Sequence, residues 1–140
     1  MTEKFQISIK PEFKSAETVR TKVKSTLDGL LSAVSEEKVD EFCQAVSELI
    51  NNAIEHGHCS NIECELKVEN EKAVFTLDTD GVLFDPTSVK ARMPDFDERN
   101  ELPEGGYGLA IIIQLSDEFT YRNEGNRNIT VVTKIIGKSV

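Results

Sequence analysis

Within the stretch 45–58, AVSELINNAIEHGH, Glu48 and Asn52 stand four residues apart. A helix here stacks a carboxylate and a carboxamide one turn apart. Side-chain oxygens at that spacing can hold a hard cation and position a nucleophile. A second group is Asp80-Gly81, followed by Phe84-Asp85-Pro86, and a third is Gly106-Tyr107-Gly108 ahead of the apolar run 109–115. Glycines at a helix N-terminus let backbone N–H groups approach an anion closely, and the helix dipole favours negative charge there. Each signal also has an ordinary meaning. Polar helix faces are mostly just solvated, and a lone G-x-G mostly just turns the chain. Their order, with a long aperiodic segment between the second and third, is more specific than any one of them.

The elements that must position these residues are legible from periodicity. Phe42, Val46, Leu49, Ile50, Ala53 and Ile54 fall on one arc of a helix, with Glu41, Glu48, Asn52 and Glu55 on the other. Ser35 before Glu36-Glu37 reads as the N-cap of this helix, and Gly57 as its end. Upstream, residues 5–9 alternate as a strand closed by Pro11, and Val19, Val23, Leu27, Leu30, Leu31 and Val34 predict a first long helix over 15–34, with Gly29 inside it. Downstream, 62–68 and 73–79 alternate as two strands around a turn at Glu69-Asn70-Glu71. Two closing strands, 118–121 and 128–136, flank the turn Asn123-Glu124-Gly125-Asn126. Between Gly81 and Gly106 periodicity is lost and Pro86, Pro94 and Pro103 gather among charges, as expected of a lid or binding loop. The order strand, two helices, two strands, lid, helix, two strands predicts one α+β domain over 1–140, a two-layer sandwich with helices on one face of a mainly antiparallel sheet.

Composition narrows the function. The chain has 140 residues, enough for a core without staples, and a formal net charge of -9. With no Lys/Arg run, direct nucleic-acid binding is not expected. No apolar run approaches a membrane span, and Met1-Thr2-Glu3-Lys4 leads straight into a strand rather than a signal peptide, so a cytoplasmic protein without membrane attachment is expected. Three cysteines, Cys43, Cys59 and Cys64, suit a reducing compartment, Cys43 as a small core residue. His56, His58, Cys59 and Cys64 do not have the spacing of a compact tetrahedral metal site.

With these elements in place, the sequence resembles the histidine-kinase-like (GHKL, Bergerat-fold) ATPases, and within them the small anti-sigma factor serine/threonine kinases. SELINNAIEHGH is similar to that family's N box, TDGVLFDP to its first glycine box, and PEGGYGLAIIIQLSDEFTYRNEG to its second with the strands beyond. The resemblance covers nearly the whole chain. It implies a Bergerat fold with an ATP lid at about 87–104, and ATP and Mg²⁺ as cofactors. Asn52 would coordinate the Mg²⁺ that bridges the phosphates, and Glu48 would be the general base for a Ser/Thr hydroxyl of a protein substrate. Thr79, Asp80, Gly81, Gly106, Tyr107, Gly108 and Leu109 would belong to the nucleotide site, with Lys90, Arg92 and Arg99 as alternatives for reaching the phosphates. His56 would serve as a structural hydrogen-bonder. The implied partners are an anti-anti-sigma (STAS-type) protein that is phosphorylated and a sigma factor or other regulator that is sequestered. Family members often pair as homodimers, so a homodimer is also an expectation. The alternatives are a binding module of the same fold that has lost catalysis, and a detached sensor-kinase catalytic domain.

One departure stands out. The family's first glycine box carries an Asp two residues before its Gly, which accepts a hydrogen bond from the adenine amino group. Here that position is Thr79, between Asp78 and Asp80. Strand alternation puts Thr79 on the face of Phe75 and Leu77 and both Asp residues on the other, unless a slip or bulge intervenes. A neutral hydrogen bond in place of a charge-assisted one costs about 1–2 kcal/mol of binding, roughly tenfold in affinity.

Overall fold

A computed structural model of the protein describes residues 2–30, 34–56, 58–81 and 106–137. Its elements run in the expected order: β1 (Thr2–Ile9), α1 (Phe13–Asp28), α2 (Glu36–His56), β2 (Ile62–Glu69), β3 (Lys72–Thr79), α3 (Gly106–Leu115), β4 (Glu118–Glu124) and β5 (Arg127–Ile135). The strands form one sheet in the order β1-β2-β3-β5-β4, and every pairing is antiparallel. Ile62, Cys64, Leu66 and Val68 of β2 and Ala73, Phe75, Leu77 and Thr79 of β3 are buried, while the residues between them are exposed or half-buried. That period-two pattern gives the sheet a helix-covered face and a polar one. The central helix α2 packs between α1 and α3, and Phe42, Val46, Leu49 and Ile50 bury its apolar arc in the core. Ala53 and Ile54 pack against that core part-buried.

The start of α2 follows from its sequence. The Ser35 hydroxyl accepts the N–H of Lys38 at 3.4 Å, and Glu36 and Glu37 sit in the first turn against the positive end of the helix dipole. The first helix departs from the expectation of 15–34: it spans Phe13–Asp28. Gly29 accepts the role of C-cap rather than interior residue, and the apolar periodicity carried on by Leu30 and Val34 has another origin. Val34 forms an antiparallel bridge with Gly137, and the Ser35 N–H donates to the Ile136 carbonyl at 2.7 Å. Both side chains are buried, so burial alone made a post-helical segment look helical. The hairpins are tight. Asn70-Glu71 joins β2 to β3, with Asn70 at φ 59°, and Gly125-Asn126 joins β4 to β5, with Gly125 at φ 62°. The expected lid and residues Phe84, Asp85, Pro86, Lys90, Arg92 and Arg99 lie outside the described residues.

Candidate functional site

Two anchors at one end of the sheet set the helices that carry the candidate residues. Lys134 of β5 is buried on the inner face; its Nζ donates to the Leu115 carbonyl at 2.6 Å and lies 3.8 Å from Glu41 Oε1. The last carbonyls of a helix lack intrahelical partners, so a buried ammonium at the C-terminus of α3 satisfies one and complements the dipole. Asp117 reinforces this end, its N–H donating to the Thr133 carbonyl at 2.8 Å and its carboxylate accepting the Ile135 N–H at 2.6 Å.

From this anchor α2 runs away and α3 runs towards it. Only one turn of α2 precedes Glu41, so the packed α3 must lie along the later part of α2. At 1.5 Å per residue, Glu48 and Asn52 stand about 10 to 16 Å along α2 from Glu41, and Gly108 and Gly106 about 10 to 14 Å back along α3 from Leu115. Glu48, Asn52 and the glycine turn are thus level on neighbouring helices. The helix α3 begins at Gly106 itself, so the backbone of Gly106, Tyr107 and Gly108 forms its first turn, three residues earlier than the apolar run indicated. Those first-turn N–H groups have no intrahelical acceptor and carry the positive end of the dipole, which suits an anion. Leu109, next along α3, is buried.

On α2, Glu48 and Asn52 are both half-buried. Glu48 Oε1 accepts a hydrogen bond from Gln44 Nε2 at 3.1 Å, one turn earlier, which orients the carboxylate without adding charge. His56 ends the helix half-buried, with Nε2 3.5 Å from Glu55 Oε2. The chain then returns through Ser60 and Asn61 to Ile62, which pairs with Thr79. Thr79 therefore lies at the sheet end reached by the C-terminus of α2.

The register disposes of any slip or bulge around Thr79. Thr79 pairs with Ile62 on one side and Asn128 on the other, and Asp78 with Glu63 and Ile129, in unbroken ladders. Thr79 is 5% exposed and faces inward. Asp78 faces the other way and accepts the Arg127 guanidinium, Nε to Oδ1 at 2.7 Å, while the same guanidinium reaches the Asp78 carbonyl at 3.3 Å. Asp80, beyond the strand, braces the start of β2. Its Oδ1 accepts the N–H groups of Ser60 at 2.8 Å and Asn61 at 3.0 Å, and its Oδ2 accepts the Ser60 hydroxyl. The Ser60 hydroxyl, with the Asn61 and Ser60 N–H groups, holds the Asp80 carboxyl down at about 2. Neither carboxylate substitutes for the missing one at Thr79. Gly81 follows at φ 95°, a conformation glycine adopts without strain.

Beside Thr79 stand residues that periodicity did not single out. Asn128, 7% exposed, is its cross-strand neighbour, and Tyr121 donates its hydroxyl to Asn128 Oδ1 at 2.8 Å. The usable signal was inward alternation along β5, which gives Asn128 and Thr130 the same face as Val132.

The comparisons agree with this architecture. Residues 9–134 match the model of the histidine kinase-like ATPase domain family. The serine-protein kinase RsbW of Staphylococcus aureus is 30% identical over 126 residues, covering 83% of this chain and 79% of that protein. Its counterpart from Staphylococcus epidermidis is 28% identical over 123 residues, covering 81% and 77%. The structure of the RsbU and RsbW domains of a Mycobacterium tuberculosis protein superposes with a TM-score of 0.70 at 15% identity, over 99% of this chain and 34% of that one, a likeness of fold. No helix among the described residues is long and apolar enough to cross a membrane. An antiparallel sheet backed by α1, α2 and α3, the match over 9–134 and the RsbW relatives together place this chain in the histidine kinase-like ATPase family, among the anti-sigma factor serine kinases.

Proposed function

We propose that the protein is an ATP- and Mg²⁺-dependent serine/threonine kinase that phosphorylates an anti-anti-sigma (STAS-type) partner and sequesters a sigma factor or similar regulator. What supports this reading is the packing of α3 against α2 from the anchor at Leu115 and Glu41, since the helical rise then brings the glycine-bearing first turn of α3 to the height of Glu48 and Asn52. Among the described residues no three His, Cys, Asp or Glu side chains cluster as a metal cage. A single amide oxygen from Asn52 fits Mg²⁺, which keeps several waters and takes its other ligands from substrate phosphates. When bound, the ion neutralises phosphate charge. Asn52 would hold it, and the first-turn N–H groups of α3 would receive phosphate oxygens. Glu48, oriented by Gln44, would take the proton of the attacking hydroxyl. The hydroxyl oxygen bonds to the γ-phosphorus as the bond from that phosphorus to the β–γ bridging oxygen breaks, and ADP leaves with the electron pair.

The test is phosphoryl transfer to the partner alongside calorimetric titration with ATP, with and without Mg²⁺. Glu48→Gln should lower transfer by about 10²- to 10⁴-fold with ATP binding preserved, and Asn52→Ala should remove the Mg²⁺-dependent part of the binding. Transfer unchanged in Glu48→Gln refutes the assignment of the base. A second reading is favoured by one observation, the neutral Thr79 with both neighbouring carboxylates committed elsewhere. It is a binding module that exchanges partners without transferring phosphate. Partner binding without transfer, and no binding at millimolar ATP by folded protein, would decide for it.

A further inference from the structure

Among the described residues, the inner face at the Thr79 end of the sheet is neutral. Thr79, Asn128 and Thr130 are all more than nine-tenths buried there, on adjacent strands, and Tyr121 of β4 ties into them through Asn128 Oδ1. The Thr79 hydroxyl is a neutral group at a buried position, able to donate or to accept a hydrogen bond. Asp78 and Asp80 stand on either side in sequence, and both are held by other groups, the Arg127 guanidinium and the Ser60-Asn61 corner.

Resting on the nucleotide-binding reading above, we infer that Thr79 makes the base subsite indifferent to the substituent at the 6-position of a purine, so that the protein accepts guanine as well as adenine nucleotides. A carboxylate only accepts hydrogen bonds. It favours the amino group of adenine and opposes the carbonyl of guanine, a like-polarity contact in a buried place. A threonine hydroxyl donates or accepts, and it rotates to suit. It accepts from the adenine amino group in one orientation and donates to the guanine carbonyl in the other. Among the described residues the neighbouring amide and hydroxyls are likewise neutral and carry both functions, so no fixed charge among them restores the preference.

The experiment is calorimetric titration of the full chain with Mg-ATP and with Mg-GTP. In the wild type the two dissociation constants are expected within about fivefold of each other, because a rotatable neutral hydroxyl can bond to either substituent. Thr79→Asp should tighten ATP, weaken GTP and widen the ratio to about tenfold or more. Thr79→Asn, neutral and with both functions, should keep the ratio near that of the wild type, so the comparison survives if the buried Asp variant does not fold. A wild type that prefers ATP by more than about thirtyfold overturns the inference while leaving the kinase reading intact. Folded protein that binds neither nucleotide overturns the kinase reading, and this inference with it.

Discussion

Lys134→Met tests the anchor that sets α3 against α2. The methionine keeps the volume of the lysine stem and removes only the ammonium, which donates to the Leu115 carbonyl at 2.6 Å from a side chain 10% exposed. A hydrogen bond from a charged group to an otherwise unpaired carbonyl contributes about 1.5–3 kcal/mol. Charge at the helix C-terminus adds about 0.3–1 kcal/mol. The relief of burying a neutral thioether offsets part of this, so a loss of about 2 kcal/mol is expected. For a chain of this size that lowers the melting temperature by about 4–8 °C. Glu41, the other neighbour of the ammonium, is 36% exposed and 3.8 Å away, the range of a solvent-screened pair, so Glu41→Gln should cost under about 1 kcal/mol. Urea unfolding of the two variants beside the wild type measures both. Equal losses would mean that the ion pair carries the interaction, and an unaffected Lys134→Met would mean that α3 is held by apolar packing alone. Either result would remove the argument that this anchor sets the level of the glycine turn.

Three further outcomes are expected. The Asp80 carboxyl titrates at about 2 in the folded chain, below its ordinary 3.8, so the stability it contributes is present above about pH 4 and is lost as pH falls towards 2. The stability difference between wild type and Asp80→Asn, followed by circular dichroism across that window, should shrink towards zero at the acid end, whereas a constant difference would contradict the assigned hydrogen bonds. Burial pushes the Cys43 thiol up to about 11 and the Cys64 thiol up to about 12, and raises half-buried Cys59 as well, so iodoacetamide at neutral pH should label Cys59 first and the other two only on unfolding, as mass spectrometry of the peptides would show. Ser35→Ala removes the cap of α2, and because that bond is long, at 3.4 Å, the loss in urea unfolding should be near about 0.5 kcal/mol, at the low end for caps.

Most of the fold was legible because one physical signal, burial on a single face, wrote both the period of α2 and the alternation of β2 and β3. Glu48 and Asn52 share the less buried arc of α2 that their spacing gave them. The same signal misled where burial had another cause. Val34 continues the apolar rhythm of α1, yet it is buried by pairing with Gly137, more than a hundred residues away in sequence. No local pattern carries such a contact. Lys134 was invisible for a related reason. An ammonium at an inward strand position looks like an error of register until the carbonyl of Leu115 is placed above it.

The Asp-Thr-Asp run at 78–80 shows how structure settles what periodicity leaves open. A carboxylate on either side of Thr79 invites the idea of a shifted strand that would bring one of them inward. Such a shift would turn Phe75 and Leu77, both buried, out of the core. It would also break the Arg127 bond to Asp78 and release the Ser60-Asn61 corner from Asp80. Burial and hydrogen bonding therefore oppose the shift together, and the two carboxylates are structural members in their own right. Under the proposed function the consequence is confined to the base. Phosphoryl transfer depends on positioning and charge neutralisation at the phosphates, where Glu48, Asn52 and the first turn of α3 would act, a separate set of groups from the Thr79 cluster. A variant that changes base preference at Thr79 should then leave the rate of transfer at saturating nucleotide nearly unchanged, and a matching fall in that rate would show that the base contact also positions the γ-phosphate.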